Sequence, residues 1–393
     1  MSEDTPESDV ETIEAETLKE RIDAGEDVTI LDVRAEDEFD EWHIEGDSVE
    51  IVNVPYYGLV DGLEEEDLER IPEGDPLVVL CAKGGSSELI AEMLVEEGRD
   101  AVSLAEGMNG WATIYEYEEV ETDGDALVTQ YQRPSSGCLG YLVVSGDEAA
   151  VIDPLRAFTD TYLEDAEEFG ADLKYAIDTH IHADHISGVR ALAEEGVEGV
   201  IPAASVERGV TYADEVTNAE DGDVFAVGET EIETVYTPGH TSGMTSYLVD
   251  GELLATGDGL FIESVARPDL EEGDDGAPDA AKQLYESLQE RVLTLDDDVL
   301  IGGAHFSDSA EPAEDGTYTA PIGELTETMD ALTVDEEEFV DIVLADMPPR
   351  PANYVDIIET NLGQQEADDE EAFELELGPN NCAASQDALT SDD

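Results

Sequence analysis

Basic residues are what this chain of 393 residues has least of: 15 Lys and Arg stand against 103 Asp and Glu, a formal net charge of -88. A field of that sign repels nucleic acid and anionic membrane, so neither is an expected partner. Cysteine is scarce too. Cys81, Cys138 and Cys382 cannot make a disulfide framework, and none of them forms a Cys-x-x-Cys pair. No run of about 18 apolar residues exists to span a bilayer. The opening Met1-Ser2-Glu3-Asp4-Thr5 lacks the basic and apolar parts of a signal peptide. A soluble, cytoplasmic protein is expected. What is present argues against an acidic disordered polymer: 41% hydrophobic content, arranged in regular strand-like runs. The length suggests two or three domains, enough chain for more than one core.

Histidine is also rare, and its placement is informative. Of six histidines, three fall within six positions, in Thr179-His180-Ile181-His182-Ala183-Asp184-His185, after the strand-like run Leu173–Ile177. Neutral imidazoles and a carboxylate are ligands preferred by zinc and non-haem iron, and a loop after a strand can turn alternate side chains inward. The pattern then repeats. His240 sits in Thr237-Pro238-Gly239-His240-Thr241 after the run Ile232–Tyr236, Asp258 in Thr256-Gly257-Asp258-Gly259 after Glu252–Ala255, and His305 after Val299–Gly303. Any one of these could be an ordinary hydrogen-bonded residue. Jointly, the order His-x-His-x-Asp-His, then His, Asp and His, resembles the metallo-β-lactamase superfamily over about Leu127 to His305. That resemblance implies an αββα sandwich, for which strand-like Ala126–Tyr131, Cys138–Val144 and Ala149–Pro154 and the helix-like Thr159–Glu168 are suitable parts. Cys138, at a strand start after Ser135-Ser136-Gly137, reads as core, with a functional role as the weaker alternative.

The first part of the chain has a different rhythm. A short helix around Leu18 and Ile22, strands at Asp27–Arg34, Ile51–Val54, Pro76–Leu80 and Ala101–Leu104, and a helix at Ser87–Glu97 predict a parallel α/β sheet. Cys81 ends one strand and opens the loop Cys81-Ala82-Lys83-Gly84-Gly85-Ser86-Ser87 directly before a helix. Converging backbone amides and the helix N-terminus would favour a thiolate or a sulfur anion there. Leu31-Asp32-Val33-Arg34 with Glu38-Phe39, Trp42-His43-Ile44-Glu45-Gly46, the Cys81 loop and Gly107-Met108-Asn109-Gly110-Trp111 together resemble the rhodanese sulfurtransferases over about Glu11 to Ile114. The resemblance implies that Cys81 carries sulfane sulfur as a persulfide. It also makes His43 a packing residue. Ser86 stands where many rhodaneses have arginine, leaving Lys83 as the only cationic side chain of the loop.

Two chemistries are open to the second domain. Two zinc ions bridged by Asp258 would make a hydroxide that attacks a thioester, as in glyoxalase II. Alternatively His180, His240 and Asp258 form the two-histidine, one-carboxylate set of non-haem Fe(II) oxygenases. Thr256–Ile262 continuing to Ala266-Arg267-Pro268-Asp269-Leu270 is similar to the persulfide dioxygenases, which turn a small-thiol persulfide and O2 into sulfite and thiol. That resemblance implies one Fe(II) per chain on those three residues, with His182, Asp184, His185 and His305 lining the site and hydrogen-bonding the ligands. Asp184 and Arg267 join Cys81 as candidate catalytic residues, Arg267 either stabilising an anionic substrate or bracing the site through Asp269. Related enzymes often dimerise, so a homodimer is compatible with the resemblance.

Residues 1–10 read as an acidic lead-in, 11–120 as the rhodanese-like domain with a linker at Glu116–Asp125, and 121–363 as the metallo-β-lactamase-like domain. The latter extends through helices at Ile322–Leu332 and Asp335–Ala345 and a helix-breaking Pro348–Tyr354 segment. Residues 364–393 read as an acidic, largely disordered tail in which Gly378–Cys382 could dock locally. The acids are scattered through all of this, so their self-repulsion would weaken the fold in dilute buffer, whereas a Debye length of about 3 Å in molar salt removes most of that cost. In this respect the composition resembles that of haloarchaeal cytoplasmic proteins.

Overall fold

The computed structural model describes residues 10–307, 310–345, 347–378 and 382–384. The expected lead-in up to residue 9, residues 379–381 of the expected docking segment and the tail from 385 lie outside the described residues. Two compact units are present, one built on the chain up to Ile114, the other on Tyr115–Gln132 and Gly137–Glu376, with Cys382 also belonging to it.

The first unit contains β1 (Thr12–Ile13), α1 (Ala15–Asp23), β2 (Val28–Asp32), α2 (Glu36–Glu41), β3 (Val49–Asn53), α3 (Glu65–Arg70), β4 (Leu77–Leu80), α4 (Gly85–Glu96), β5 (Ala101–Leu104) and α5 (Gly107–Trp111). Its strands form one parallel sheet in the order β1-β5-β4-β2-β3. Strand β4 is buried throughout because both faces are covered: Val78 and Leu80 pack with Ile30 and Leu104, while Leu77 and Val79 pack with Leu31 and Ile90. That is why it reads as an unbroken apolar run and not as an alternating one. After β2, Arg34 pairs with Asp32 at 2.6 Å and donates to the Trp42 carbonyl at 2.7 Å, a buried clasp that sets the turn. His43 stacks on Phe39 and bonds its carbonyl at 3.0 Å.

The second unit has two sheets. One runs β12-β11-β10-β9-β8-β7-β6, from β6 (Glu116–Glu119), β7 (Leu127–Arg133), β8 (Cys138–Ser145), β9 (Glu148–Ile152), β10 (Asp172–Ile177), β11 (Glu198–Pro202) and β12 (Thr217–Ala219). The other runs β13 to β18 in order: Val224–Val227, Thr230–Tyr236, Thr245–Val249, Leu253–Gly257, Leu300–Gly303 and Thr319–Pro321. Strand alternation sorts the side chains into layers. Tyr141, Val143, Ala150, Ile177 and Tyr247 meet between the sheets. Leu142, Val144 and Val151 face the other way, onto α6 (Thr159–Glu168) and α7 (Val189–Glu194) through Tyr162 and Leu192. Leu254 and Ile301 pack against α8 (Gly273–Ser287), α9 (Ile322–Thr328) and α10 (Glu336–Ala345) through Leu284, Leu325 and Phe339. The result is the expected sandwich with helices outside both sheets.

Three local expectations are corrected. Glu116–Glu119 is not linker but an antiparallel partner of β7, and its four exposed residues make a charged edge that resists further pairing. The helix expected over Ile322–Leu332 stops at Thr328, and a 3-10 turn over Asp330–Leu332 keeps Met329 and Leu332 on the same core. Past Gln364, α11 (Tyr354–Asn361) is followed by α12 (Asp369–Leu375). Asp368 accepts from the Glu371 N–H at 2.9 Å and Glu371 accepts from the Asp368 N–H at 3.3 Å, a capping box that holds its first turn. No helix among the described residues is long and apolar enough to cross a membrane.

Candidate metal centre

The ligand-bearing segments follow the ends of β10, β14, β16 and β17, and the last three of these strands run in the same direction. After β10 the chain turns Asp178, Thr179, His180, His182, Asp184 and His185 all inward, each buried. Gly257, at φ 53, ends β16 where an added Cβ would collide with Met244 and Thr179, so the turn presenting Asp258 needs glycine.

His180, His240 and Asp258 converge. Their ligand atoms lie within 4.8 Å of one another, with His180 Nε2 and His240 Nε2 at 3.6 and 3.5 Å from Asp258 Oδ2. The other ring nitrogens are already engaged. His240 Nδ1 donates to the Arg267 carbonyl at 3.0 Å. Thr179 Oγ1 donates to Asp153 at 2.9 Å and therefore accepts from His180 Nδ1, also at 2.9 Å. These bonds assign both rings as Nδ1–H tautomers, leaving the Nε2 lone pairs aimed at Asp258. Both Nε2 atoms and Asp258 Oδ2 are buried without a hydrogen bond. Three lone-pair donors buried bare are costly, and a divalent cation satisfies all three at once. Burial, then the neighbouring His182, brings His180 down to about 3, so its imidazole is neutral as a ligand must be. Two imidazoles and one carboxylate fit iron or zinc.

A second cluster adjoins the first. His305 donates from Nδ1 to Asp258 Oδ1 at 2.6 Å and from Nε2 to Asp184 Oδ2 at 2.7 Å. Asp184 Oδ2 also takes His185 Nδ1 at 3.0 Å and Cys138 Sγ at 3.3 Å. Burial pulls the His305 imidazole down, but Asp258 and Asp184 on either side carry it well above its ordinary range. Burial likewise pushes Asp258 up, and His305 and His180 bring it well below the carboxylate range. His305 thus bridges the two carboxylates of Asp258 and Asp184. Asp184 Oδ1 and His185 Nε2 are buried without partners.

His182 turns elsewhere. Its Nε2 lies 3.1 Å from Asp153 and 3.8 Å from Asp178, and it groups with those two acids rather than with His180 and His240, while its Nδ1 is buried without a hydrogen bond. Arg267, 1% exposed, bonds Asp269 through Nε at 2.8 Å and Nη2 at 3.1 Å, and the Pro349 and Pro348 carbonyls at 2.8 and 3.0 Å. The expected pairing with Asp269 is present.

In the first unit, Cys81 Sγ accepts from the Gly84 N–H at 3.2 Å and the Ser87 hydroxyl at 3.4 Å. Gly84, at φ 90, leads directly into α4, while Lys83 and Gly85 are exposed and Ala82 and Ser86 half-buried around the loop. A Cβ on Gly107 would strike the Cys81 carbonyl, which explains the glycine opening α5.

Four contributors carried little or no signal of a role at the centre in the sequence. Cys138 sits beside Asp184, Asp153 orients the His180 and His182 region, and Cys382 groups with Asp258 and His305. Asn361 donates to the carbonyls of His182 and His185 at 3.0 and 2.8 Å and accepts from the Ser187 N–H at 2.9 Å. Only the Asp153-Pro154 strand ending carried a local signal.

The pattern of the metallo-beta-lactamase superfamily matches residues 135–305, and that of the rhodanese-like domain residues 14–114. The human protein named persulfide dioxygenase ETHE1, mitochondrial, is 33% identical over 222 residues, which span 55% of this chain and 80% of that protein. The chain belongs to the metallo-β-lactamase superfamily, with a rhodanese-like domain ahead of it. Within the superfamily, a hydroxyacylglutathione hydrolase of Francisella philomiragia is 33% identical over 171 residues, 42% of this chain and 61% of its own. The crystal structure of ETHE1 from Myxococcus xanthus superimposes with a TM-score of 0.50 at 27% identity, covering 60% of this chain and 98% of that one. These likenesses and the buried ligand clusters support a metal-dependent enzyme.

Proposed function

We propose that the second unit is an iron-dependent persulfide dioxygenase, taking a low-molecular-weight persulfide and O2 to sulfite and free thiol, and that Cys81 transfers sulfane sulfur to or from this reaction. The observation that carries the reading is the unpartnered buried atoms of His180, His240 and Asp258, which form one group of ligand atoms, whereas His182 groups through Nε2 with Asp153 and Asp178. His180, His240 and Asp258 would hold Fe(II), which when bound would supply the activation of dioxygen toward the persulfide. The chain's own residues do the rest. Thr179 and the Arg267 carbonyl hold the two imidazoles in the ligand tautomer, and His305 steadies Asp258. The likeness to persulfide dioxygenases and the presence of a rhodanese-like domain point to the same sulfur chemistry.

The bare Asp184 Oδ1 and His185 Nε2 favour a second reading, a binuclear zinc thioester hydrolase of glyoxalase II type, which the hydroxyacylglutathione hydrolase relatives share. One assay separates the two. Dissolved-oxygen consumption by the Fe(II)-loaded protein in molar KCl, on adding a small-thiol persulfide, is expected to be rapid, to yield sulfite and to vanish in His180→Ala. A folded, iron-loaded protein that consumes no oxygen with several persulfides, and instead cleaves thioesters with about two zinc ions per chain, would overturn the dioxygenase reading.

A further inference from the structure

We infer that Ser87 and Ser103 form a two-position hydroxyl relay behind Cys81. The Ser87 hydroxyl turns from the Gly84 carbonyl to Cys81 Sγ whenever that sulfur carries charge, and Ser103 holds it ready to turn. Ser87 touches the reacting atom, whereas Ser103 is a positioning residue. The inference rests on the reading of Cys81 as a sulfur carrier and specifies how the charge on its sulfur is met.

Proton counting is the first argument. Ser87 Oγ lies 2.8 Å from the Gly84 carbonyl oxygen, 3.0 Å from Ser103 Oγ and 3.4 Å from Cys81 Sγ, and it has one proton for these three neighbours. The Ser103 hydroxyl has Ser87 Oγ as its one partner among the described residues. Were Ser87 the donor of that bond, the Ser103 proton would be buried unused, so Ser103 donates. The Ser87 proton then chooses between Gly84 and Sγ. The nearer carbonyl is the better acceptor beside a neutral sulfur, and a charged sulfur is the better one beside a carbonyl, because charge-assisted bonds are about twice as strong.

Placement is the second. Ser87 lies in the first turn of α4 and Ser103 within β5, and both are buried. Register sets Ser103 opposite Val79, and strand alternation turns it to the face that carries Ala101, Val79 and Cys81. The cluster on that face is apolar, with Leu31, Ile90 and Leu94. A hydroxyl is costly there unless it is bonded, and an alanine would pack as Ala101 does. Its bond to Ser87 accounts for the serine.

The third argument is freedom of movement. Among the described residues the hydrogen-bond donors to Sγ are the Gly84 N–H at 3.2 Å and the Ser87 hydroxyl. The amide is fixed by the backbone, whereas the hydroxyl rotates. Only the hydroxyl can answer a change of charge.

The chemistry balances. In loading, Cys81–S⁻ + R–S–SH gives Cys81–S–SH + R–S⁻: one S–S bond forms, the donor's breaks, and the donor thiolate leaves with the electron pair. In discharge, Cys81–S–SH + R′–S⁻ gives Cys81–S⁻ + R′–S–SH, and Sγ is itself the leaving atom. No proton changes owner in the relay. The rotated hydroxyl meets the charge on Sγ, and a stabilised thiolate leaves faster.

The test uses the full chain in molar KCl. Alkylation of Cys81 by iodoacetamide is followed by peptide mass at neutral pH and at about pH 10, where thiols are ionised. Loss of one charge-assisted bond should slow Ser87→Ala about tenfold at neutral pH and leave it at the wild-type rate at the higher pH. Discharge of polysulfide-loaded Cys81 by cyanide, which becomes thiocyanate as Sγ leaves, should slow by a similar factor. Ser103→Ala should act in the same direction to a smaller extent, and the double variant should be no slower than Ser87→Ala. Urea unfolding checks that each variant folds; should Ser87→Ala fail to, Ser103→Ala alone decides. Wild-type rates at neutral pH overturn the inference, as does slowing that persists at about pH 10, the mark of altered access. Additive effects would remove Ser103 from it. A wild type that takes up no sulfur from polysulfide sinks the carrier reading by itself, and the alkylation rates still decide the part of the hydroxyls.

Discussion

Asn361 offers a test of how the metal loop is held. Its amide, 4% exposed at the end of α11, bonds the His182 and His185 carbonyls and the Ser187 N–H. Asn361→Ala leaves two acceptors and one donor buried without partners. At about 1 kcal/mol or more for each abandoned group, the loss is at least about 3 kcal/mol. For a unit of this size that corresponds to a fall in Tm of roughly 6–12 °C. Because these bonds act on the backbone that aims His180 and Asp184, iron affinity should fall as well, by about 10–100-fold. Asn361→Asp should be no better, since its carboxylate faces two carbonyl oxygens. The assay is calorimetry in molar KCl with and without metal, together with iron titration against a chelator. If Asn361→Ala melts with the wild type and binds iron equally well, the loop is positioned by its own side chains and the reasoning is wrong.

Three more outcomes are expected. The Asp269 carboxyl is raised by burial, but Arg267 and Arg350 bring it below its ordinary value. Its stabilising contribution is therefore complete above its unfolded pKa of about 3.9 and is lost as pH falls through the folded one. The stability gap between wild type and Asp269→Asn, measured by urea unfolding, should accordingly be constant near neutrality and close in acid. Gly107→Ala should drive its Cβ into the Cys81 carbonyl at φ 61, removing sulfurtransferase activity and lowering the stability of the first unit while O2 uptake by the second persists. With a net charge of -88, Tm should climb steeply between about 0.1 and 1 M KCl, as the Debye length shrinks from about 10 to 3 Å; a flat Tm would refute self-repulsion as the main salt effect.

The legible part of the site was that written in consecutive residues. His180, His240 and Asp258 follow strand-like runs at turns that glycine and proline punctuate, so type and position could be read together. Cys138, Asn361 and Cys382 carry no such mark, because an ordinary strand start, helix end and acidic tail reach the centre only through tertiary folding. The strand Glu116–Glu119 was hidden by its own charge, since an exposed edge has no apolar face to announce it. Helix α12 did have a signal, Asp368 followed three residues later by Glu371, and the acidity around it obscured a capping box. Arg267 was ambiguous for a physical reason: Arg-x-Asp describes a surface pair and a buried brace equally, and burial is not written locally.

Arg267 is also a junction. Through its carbonyl it touches His240, through its N–H Cys382, and through its guanidinium Asp269, Pro348 and Pro349. Substitutions in these four chain segments therefore share one intermediary, although they lie far apart in sequence. Their effects should fail to add, with interaction energies of about 0.5–3 kcal/mol in double-mutant cycles, and changes tolerated singly in any of these segments will constrain which residues the others can accept.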